Sequence, residues 1–596
     1  MASALQWIPQ SLYSSSLSSL VRIYTLCQKE IRGLPENIQF DVYYKLYEEG
    51  RLCQLGIELS DLIVFDRVLK VNDKRHLLHH CFQAVMDHAH NMNIANILAY
   101  SYTLYCNELK NNEKKKSRQH AAILGLQLGG FLSDAGWFLE SEKVLIACLN
   151  LCSQVDEVYF NAKALECCLQ LLHAQNAYCK FTEANKTYED ANIFVKKLQD
   201  KGQKPNLAGL YAEFSSLFFV KSYYDDAYRW SIKAIKEISP TLPLKCVIDV
   251  LRQASKACVV KRDFKRAEML VKQAVHLARE HFGFQHPKYS DALLDYGFYL
   301  LNIDLVGPSV QVYQTALDVR LAVFGGNNLN VGVAHEDLAY ASYVNEYTSG
   351  KFSDARCHAE KAMEIMTHIV REEHLLLASS KRVKALILEE IAIDNHDKSM
   401  CERLLADAQK LHLSALRLAQ KAFGEINVQT AKHYGNLGRL YQSMRRFQEA
   451  EEMHKKAILI KEKLLGDDDY EVALSLGHLA SLYNYDIGNF KDAEKLYLRS
   501  IEIAKKLFGD GYSGLEYDYR GLLRVHKMLG NHSHVAEYTR VLHEWKQIRD
   551  HNAQCEVPPL QIHCQPRPTE DVIQEFFQNS LPFHIWSCQT CVEKPI

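Results

Sequence analysis

A three-position pattern recurs down most of this chain and limits what it can fold into: an aromatic residue, an alanine three positions on, and a second small residue seven further. It stands at Tyr224, Ala227 and Ala234; at Phe264, Ala267 and Ala274; at Phe352, Ala355 and Ala362; at Phe447, Ala450 and Ala457; and at Phe490, Ala493 and Ser500. A looser form adds Ala184 and Ala191, Ala316, Ala415 and, last, Val535 with Leu542. The second small position falls at 191, 234, 274, 316, 362, 415, 457 and 500, in steps of 43, 40, 42, 46, 53, 42 and 43 residues. A glycine marker keeps the same register: HFG at 281–283, VFG at 323–325, AFG at 422–424, LLG at 464–466 and LFG at 507–509. Self-similarity at this period belongs to stacked supersecondary units, not to one globular core. Small residues at fixed offsets let two helices approach closely, so the unit is expected to be a helical hairpin.

Proline usage agrees. There are 13 prolines in 596 residues and none between Pro308 and Pro558, a gap that only an all-helical segment of this length explains. The longer steps predict longer helices or loops between 363 and 407. Balanced charge, 70 Lys and Arg against 72 Asp and Glu, argues against a nucleic-acid partner. No run of about 18 apolar residues and no secretory leader is read, and 17 cysteines lie scattered in helical patterns without framework spacing. The expectation is a soluble chain with reduced thiols, in cytoplasm and nucleus.

The stretches YGNLGRLYQSMRRFQEAEEMHKKAILI from 434 and LGHLASLYNYDIGNFKDAEKLYLRSIEI from 476 resemble tetratricopeptide repeats. Leu437, Gly438, Tyr441, Phe447, Ala450 and Ala457 match that consensus, and the step of about 42 residues resembles the kinesin light chain variety. The fold class expected is therefore an all-α tetratricopeptide-repeat solenoid over 121–548. A helical connecting region (61–120) precedes it and a flexible tail (549–596) follows.

Arrays of this kind generally hold peptides on the concave face. By register, its lining includes Asn436, whose amide suits a ligand backbone, and its counterparts Arg252, Asp295, Asp337, His478 and Arg520. Asp295, Glu336 and Asp337 would receive a basic ligand residue. Arg252, Lys432, His433 and Arg520 would equally hold a carboxylate. The polarity of the ligand stays open.

The N-terminal 1–60 lies outside the repeats. Ile23, Cys27 and Ile31 fall at i, i+4 and i+8; RGLPEN interrupts, and Ile38, Val42 and Leu46 repeat the spacing. Two short helices, each exposing an apolar face, are expected. The tandem resembles the elongin-binding and cullin-selecting boxes of cullin-2 ubiquitin ligase receptors. The elongin box reads small residue, Leu, three of any kind, Cys, three of any kind, aliphatic; Ile23, Cys27 and Ile31 fill its last three places, with Arg22 for the small residue. Leu34, Pro35, Ile38, Val42 and Leu46 match the cullin box. A cap on the solenoid is the plainer alternative.

The resemblance implies a non-catalytic substrate receptor. Its partners would be elongin B and C, cullin-2 and a RING subunit, with substrates bearing short degrons near their C-termini. It also implies contact with amyloid precursor-type cytoplasmic tails and with microtubules, hence a second reading as a cargo adaptor for membrane proteins. Neither GxxxxGK[ST], HExxH nor GxSxG occurs, and no cofactor or metal is expected. The tail's Cys588 and Cys591, with His563, Cys564 and His584 nearby, read as free thiols in preference to a zinc site.

Overall fold

A computed structural model describes residues 11–88, 93–109, 115–347, 349–554, 559 and 566–578. All its regular elements are helices. Ten helical hairpins follow one another: Lys115–Asp134 with Phe138–Ser153, Val158–Ala177 with Phe181–Asp200, Ala208–Val220 with Tyr224–Lys236, Leu244–Val260 with Phe264–Phe282, Pro287–Asn302 with Val306–Phe324, Leu329–Glu346 with Ser353–Ile369, Leu376–Ile393 with Lys398–Phe423, Val428–Ser443 with Phe447–Leu465, Tyr470–Leu482 with Phe490–Phe508, and Leu515–Met528 with His532–Gln554. We number them 1 to 10 and call their helices first and second.

The repeated positions do what their size requires. Ala227, Ala267, Ala355, Ala450 and Ala493 are fully buried, each near the start of a second helix. On the facing first helix, glycine makes the room: a Cβ on Gly438 would lie 2.8 Å from the buried ring of His454, and one on Gly297 would strike Tyr313. The glycine marker ends the second helices of hairpins 4, 5, 7, 8 and 9 at positive φ, from 69° at Gly325 to 90° at Gly466, a backbone that side chains rarely tolerate. The 53-residue step is a longer helix, Lys398–Phe423, of 26 residues against 19 for its counterpart in hairpin 8.

First helices of successive hairpins touch one another along the array, whereas second helices do not to comparable extent. The first helices therefore line the inner, shorter radius. The curvature is tight enough that the coil meets itself after five hairpins. The turn inside hairpin 1 meets the start of hairpin 6, where Asn328 donates to Ala135 O at 2.8 Å. In hairpin 2, Tyr178 packs on His374 beside hairpin 7, ring centroids 4.2 Å apart. Hairpin 3 receives Asn427 on Lys221 O at 2.9 Å and Gln429 on Ser222. Hairpin 4 sets the Arg262 guanidinium over the Tyr470 ring, 3.7 Å from Asp469. In hairpin 5, Asp304 accepts from the Ser513 amide at 2.8 Å and from Arg549 at 2.7 Å.

These five contacts form a continuous seam. Its turns carry one residue each at positive φ: Gly136, Cys179, Ser222, Arg262 and Asp304. The two sequence markers meet across it, since Phe181 packs on Phe423 of AFG and Phe264 on Phe508 of LFG.

Seven N-terminal helices form a bundle against this coil. His79 of Arg75–His88 stacks on Phe131 of hairpin 1 and meets Phe324 of hairpin 5 edge-on, and Gln83 accepts from Asn328. The bundle's polar centre is Glu58, fully buried, which accepts from Arg32 (2.9 Å), Tyr43 (2.8 Å) and Gln28. At the other end, the expectation of a flexible tail fails for 566–578. Helix Thr569–Gln578 buries Val572 and Phe576 on hairpin 4, with Arg266 5.0 Å from the Phe576 ring. The tail residues Cys588, Cys591, His563, Cys564 and His584 lie outside the described residues.

Candidate functional site

Because the seam closes the coil, the first helices surround a lumen, and their inward positions carry two ladders of paired charge. In hairpins 4 and 5, Arg252 binds Asp295 (2.7 Å), Asp249 (3.0 Å) and Asp291 (3.5 Å), Lys256 adds to Asp295, Lys288 binds Asp249 (2.8 Å), and Arg320 binds Asp291. Burial opposes the charge on Arg252, yet three carboxylates around it prevail and raise its pKa. In hairpins 6 to 9, Arg439 binds Glu390 (2.6 Å) and lies near Glu389 and Tyr343, and Lys432 and Lys461 share Glu471. Burial would lower Lys432, but Glu471 at 2.8 Å raises it instead.

The sequence-predicted groove residues separate on this ground. Arg252 and Asp295 come together, but as each other's partner, so Asp295 is not a free acceptor for a ligand arginine. Glu336 accepts from Ser379 and Ser380 of hairpin 7. Burial, and then the neighbouring Glu336, push the Asp337 carboxyl up to about 8, and no hydrogen bond or ion pair holds it among the described residues. That shift favours the protonated donor near neutral pH over the anion the sequence suggested.

Lys432 and Asn436 share one face of Val428–Ser443, one turn apart. His433 is buried beside them, its pKa lowered to about 3 by burial and by Arg382 and Lys432. Burial likewise keeps His478 neutral, its ring between His454 and Tyr517. Arg520 is misplaced by register: it is exposed and pairs with Glu516 of its own helix.

The sequence reading missed Arg382. It lies on the first helix of hairpin 7, its guanidinium 4.9 Å from the Tyr340 ring. It reaches Glu336 on one side and Lys432 and His433 on the other electrostatically. Among the described residues neither Arg382 nor Asn436 has a hydrogen bond or an ion pair. A guanidinium and an amide thus remain unclaimed within an otherwise paired wall. The signal that would have located Arg382 is the register of hairpin 7, which the 53-residue step obscures.

The N-terminal segment departs from expectation in a specific way. Ile23, Cys27 and Ile31 are not one helical stripe, because helix Leu12–Arg22 ends at Ile23 and a turn intervenes before the short helix Gln28–Arg32. Nor do both stripes face out: Ile31, Val42 and Leu46 are at most 1% exposed in the bundle core, where they pack beneath the Glu58 network. Of the cullin-box positions, Pro35 is exposed and Leu34 and Ile38 half-buried. The outward apolar face belongs to the preceding helix, with Leu12 89% exposed, and runs on to Ile23 and Leu26 in the turn. On that unbroken helix Ser11, Leu12, Ser16 and Leu20 stand in the order small, Leu, three residues, small, three residues, aliphatic.

Comparison with known proteins gives three findings. The tetratricopeptide repeat family model matches residues 400–463 and 429–506. A mouse protein named Amyloid protein-binding protein 2 is 60% identical over 572 residues, 96% of this chain and 97% of its own. The rat protein of that name is 60% identical over 575 residues, 96% and 98% of the two chains. Among solved structures, the apo quorum sensor NprR from B. thuringiensis is 13% identical, covering 64% of this chain and 97% of its own at a TM-score of 0.41. A Podosopora anserina kinesin light chain with near-identical repeats is 18% identical, covering 37% and 97% at 0.27.

Proposed function

The chain belongs to the amyloid protein-binding protein 2 family, and from that premise we propose that this repeat-built binding protein is the substrate receptor of a cullin-2 and elongin ubiquitin ligase. It holds the C-terminal segment of its substrates in the lumen. The observation that carries the reading is the unclaimed pair Arg382 and Asn436. A chain-terminal carboxylate offers two oxygens to a guanidinium fork, and the Asn436 amide donates to and accepts from the ligand backbone.

The helix Leu12–Arg22 is the elongin-docking face in this reading, with exposed Pro35 and half-buried Leu34 and Ile38 the accessible part of the cullin contact. Ubiquitin transfer falls to the other subunits, and the receptor works in cytoplasm and nucleus. Two assays test it. Elongins and cullin-2 should co-purify with the intact chain and not with Leu12→Asp, Pro35→Ala at unchanged helical circular dichroism. A fluorescent C-terminal peptide should bind at least tenfold more tightly than its C-terminal amide, and Arg382→Gln should abolish the difference. Equal binding of acid and amide would remove the C-terminal reading. The relatives' name favours a second reading, a cargo adaptor for amyloid-type tails, which fits if peptides bind but no ligase subunit co-purifies.

A further inference from the structure

Away from the lumen, hairpins 1 and 2 share a cluster of sulfur. Cys148 and Cys152 stand one turn apart on Phe138–Ser153, Cys167 faces them from Val158–Ala177, and all three are fully buried. Among the described residues they are the single set of three metal-ligand side chains whose donor atoms lie within 4.8 Å of one another. Thiolates on one ion, each about 2.3 Å from it, stand about 4 Å apart, so little movement converts this packing into a coordination shell.

Ordinary core packing leaves the cluster poorly accounted for. Cys167 donates to Cys148 at 3.3 Å, and Cys148 donates to the Ala122 carbonyl at 3.5 Å. The thiols hydrogen-bond chiefly to one another. Access exists: a cavity of about 450 Å³, lined by Thr103, Cys106, Lys143, Ile146 and Ala147, runs along the same helix. Cys106 joins it to the cluster, since Tyr102 hydrogen-bonds both Cys106 and Cys148.

We propose that Cys148, Cys152 and Cys167 bind one soft closed-shell metal ion, zinc or monovalent copper, as a buried thiolate centre tying hairpin 1 to hairpin 2. Thiolates select these ions over hard cations. Each thiol that binds releases its proton to solvent, and no electron changes hands. Monovalent copper is satisfied by three sulfurs, whereas zinc takes a fourth ligand.

The full chain, expressed with zinc and separately loaded with monovalent copper, should retain about one ion per chain through exhaustive dialysis, measured by elemental mass spectrometry. X-ray absorption should show three or four sulfurs at about 2.3 Å, the edge energy naming the ion. Cys152→Ala with Cys167→Ala should hold less than a tenth as much. Cys168→Ala, a buried neighbour outside the cluster, and Cys588→Ser with Cys591→Ser in the tail should keep it. A metal-free wild type overturns the proposal, as does loss confined to the tail variant. Should the double alanine variant lose its helical signal, the absorption spectrum of the wild type decides, and a nitrogen and oxygen shell overturns it.

Discussion

Asn328 is where the closed coil can be weighed. Its side chain is 2% exposed and makes three hydrogen bonds: it accepts from the Asn330 amide (2.9 Å), capping a helix, and donates to Gln83 (3.0 Å) and to Ala135 O (2.8 Å) on the previous coil. Asn328→Ala forfeits the cap, about 1 kcal/mol. It also leaves two buried acceptors unpartnered, at about 1 kcal/mol each on the low side of the usual range. The sum is about 3 kcal/mol.

Asp397 supplies the control, since it caps Lys398–Phe423 through Ser399 (2.9 Å) but is exposed and touches no seam. Asp397→Ala should cost about 1 kcal/mol. Global melting of so long an array is not a two-state event, so the assay is native-state hydrogen exchange of full-length protein. Amides of Gly136 and Trp137, beside the Ala135 carbonyl that the seam bond joins to Asn328 across 193 residues, should exchange about 30-fold faster in Asn328→Ala and unchanged in Asp397→Ala. Faster exchange only around 329–332, with 135–137 untouched, would show that the seam contributes nothing and that the curvature is held by nearest neighbours alone.

Two further predictions concern buried carboxyls. Glu58→Ala removes the acceptor of Arg32, Tyr43 and Gln28 and should cost the N-terminal bundle about 3–5 kcal/mol, read as tryptic cleavage within 12–109 while hairpins 6 to 10 stay intact. Burial would raise Glu58, but Arg32 and the other donors hold it below the ordinary range. Its contribution is therefore present above about pH 4 and lost as pH falls further; Glu58→Gln should flatten that acid limb. Asp337 has the opposite sign: it keeps its proton to about pH 8 when folded and loses it near about 3.9 when unfolded. Its stabilisation is full below about pH 4 and gone as pH rises through about 8. The thermal midpoint of wild type should fall between about pH 6 and about pH 9 more than that of Asp337→Asn, and equal slopes would mean the carboxyl is solvated.

The hairpins were legible because each repeated residue answers to a neighbour a helix away: Ala450 against its facing helix, Gly438 under His454, Gly424 at positive φ. The closed coil was not, because it arises from a small rotation per hairpin summed over five. Asn328 and Asn427, which hold it, are N-caps like Asn489 or Asp397 when viewed in sequence. Register failed where helix length changed, hiding Arg382, and it placed Arg520 on a surface where it meets only Glu516. At the N-terminus, spacing alone found two apolar stripes and misassigned their direction. Val42 and Leu46 have partners within the bundle, and the unpartnered face begins one helix earlier, at Leu12.

The seam also constrains how a ligand reaches Arg382. With contacts closing hairpins 1 to 5 onto 6 to 10, an extended segment enters along the axis, end first, unless the seam opens. A free C-terminus enters readily whatever is fused to the peptide's other end, whereas a closed ring must part the coils and so pay the seam's free energy of about 2 kcal/mol per Asn328-type contact. A backbone-cyclised peptide with a side-chain carboxylate at the same position should therefore bind about 30-fold more weakly than the linear acid. Asn328→Ala should narrow that gap by raising the association rate of the ring and not of the linear chain. Equal rates for ring and linear peptide in wild type would mean that the lumen is open from the side, and that selection of chain ends, if observed, is made by Arg382 alone.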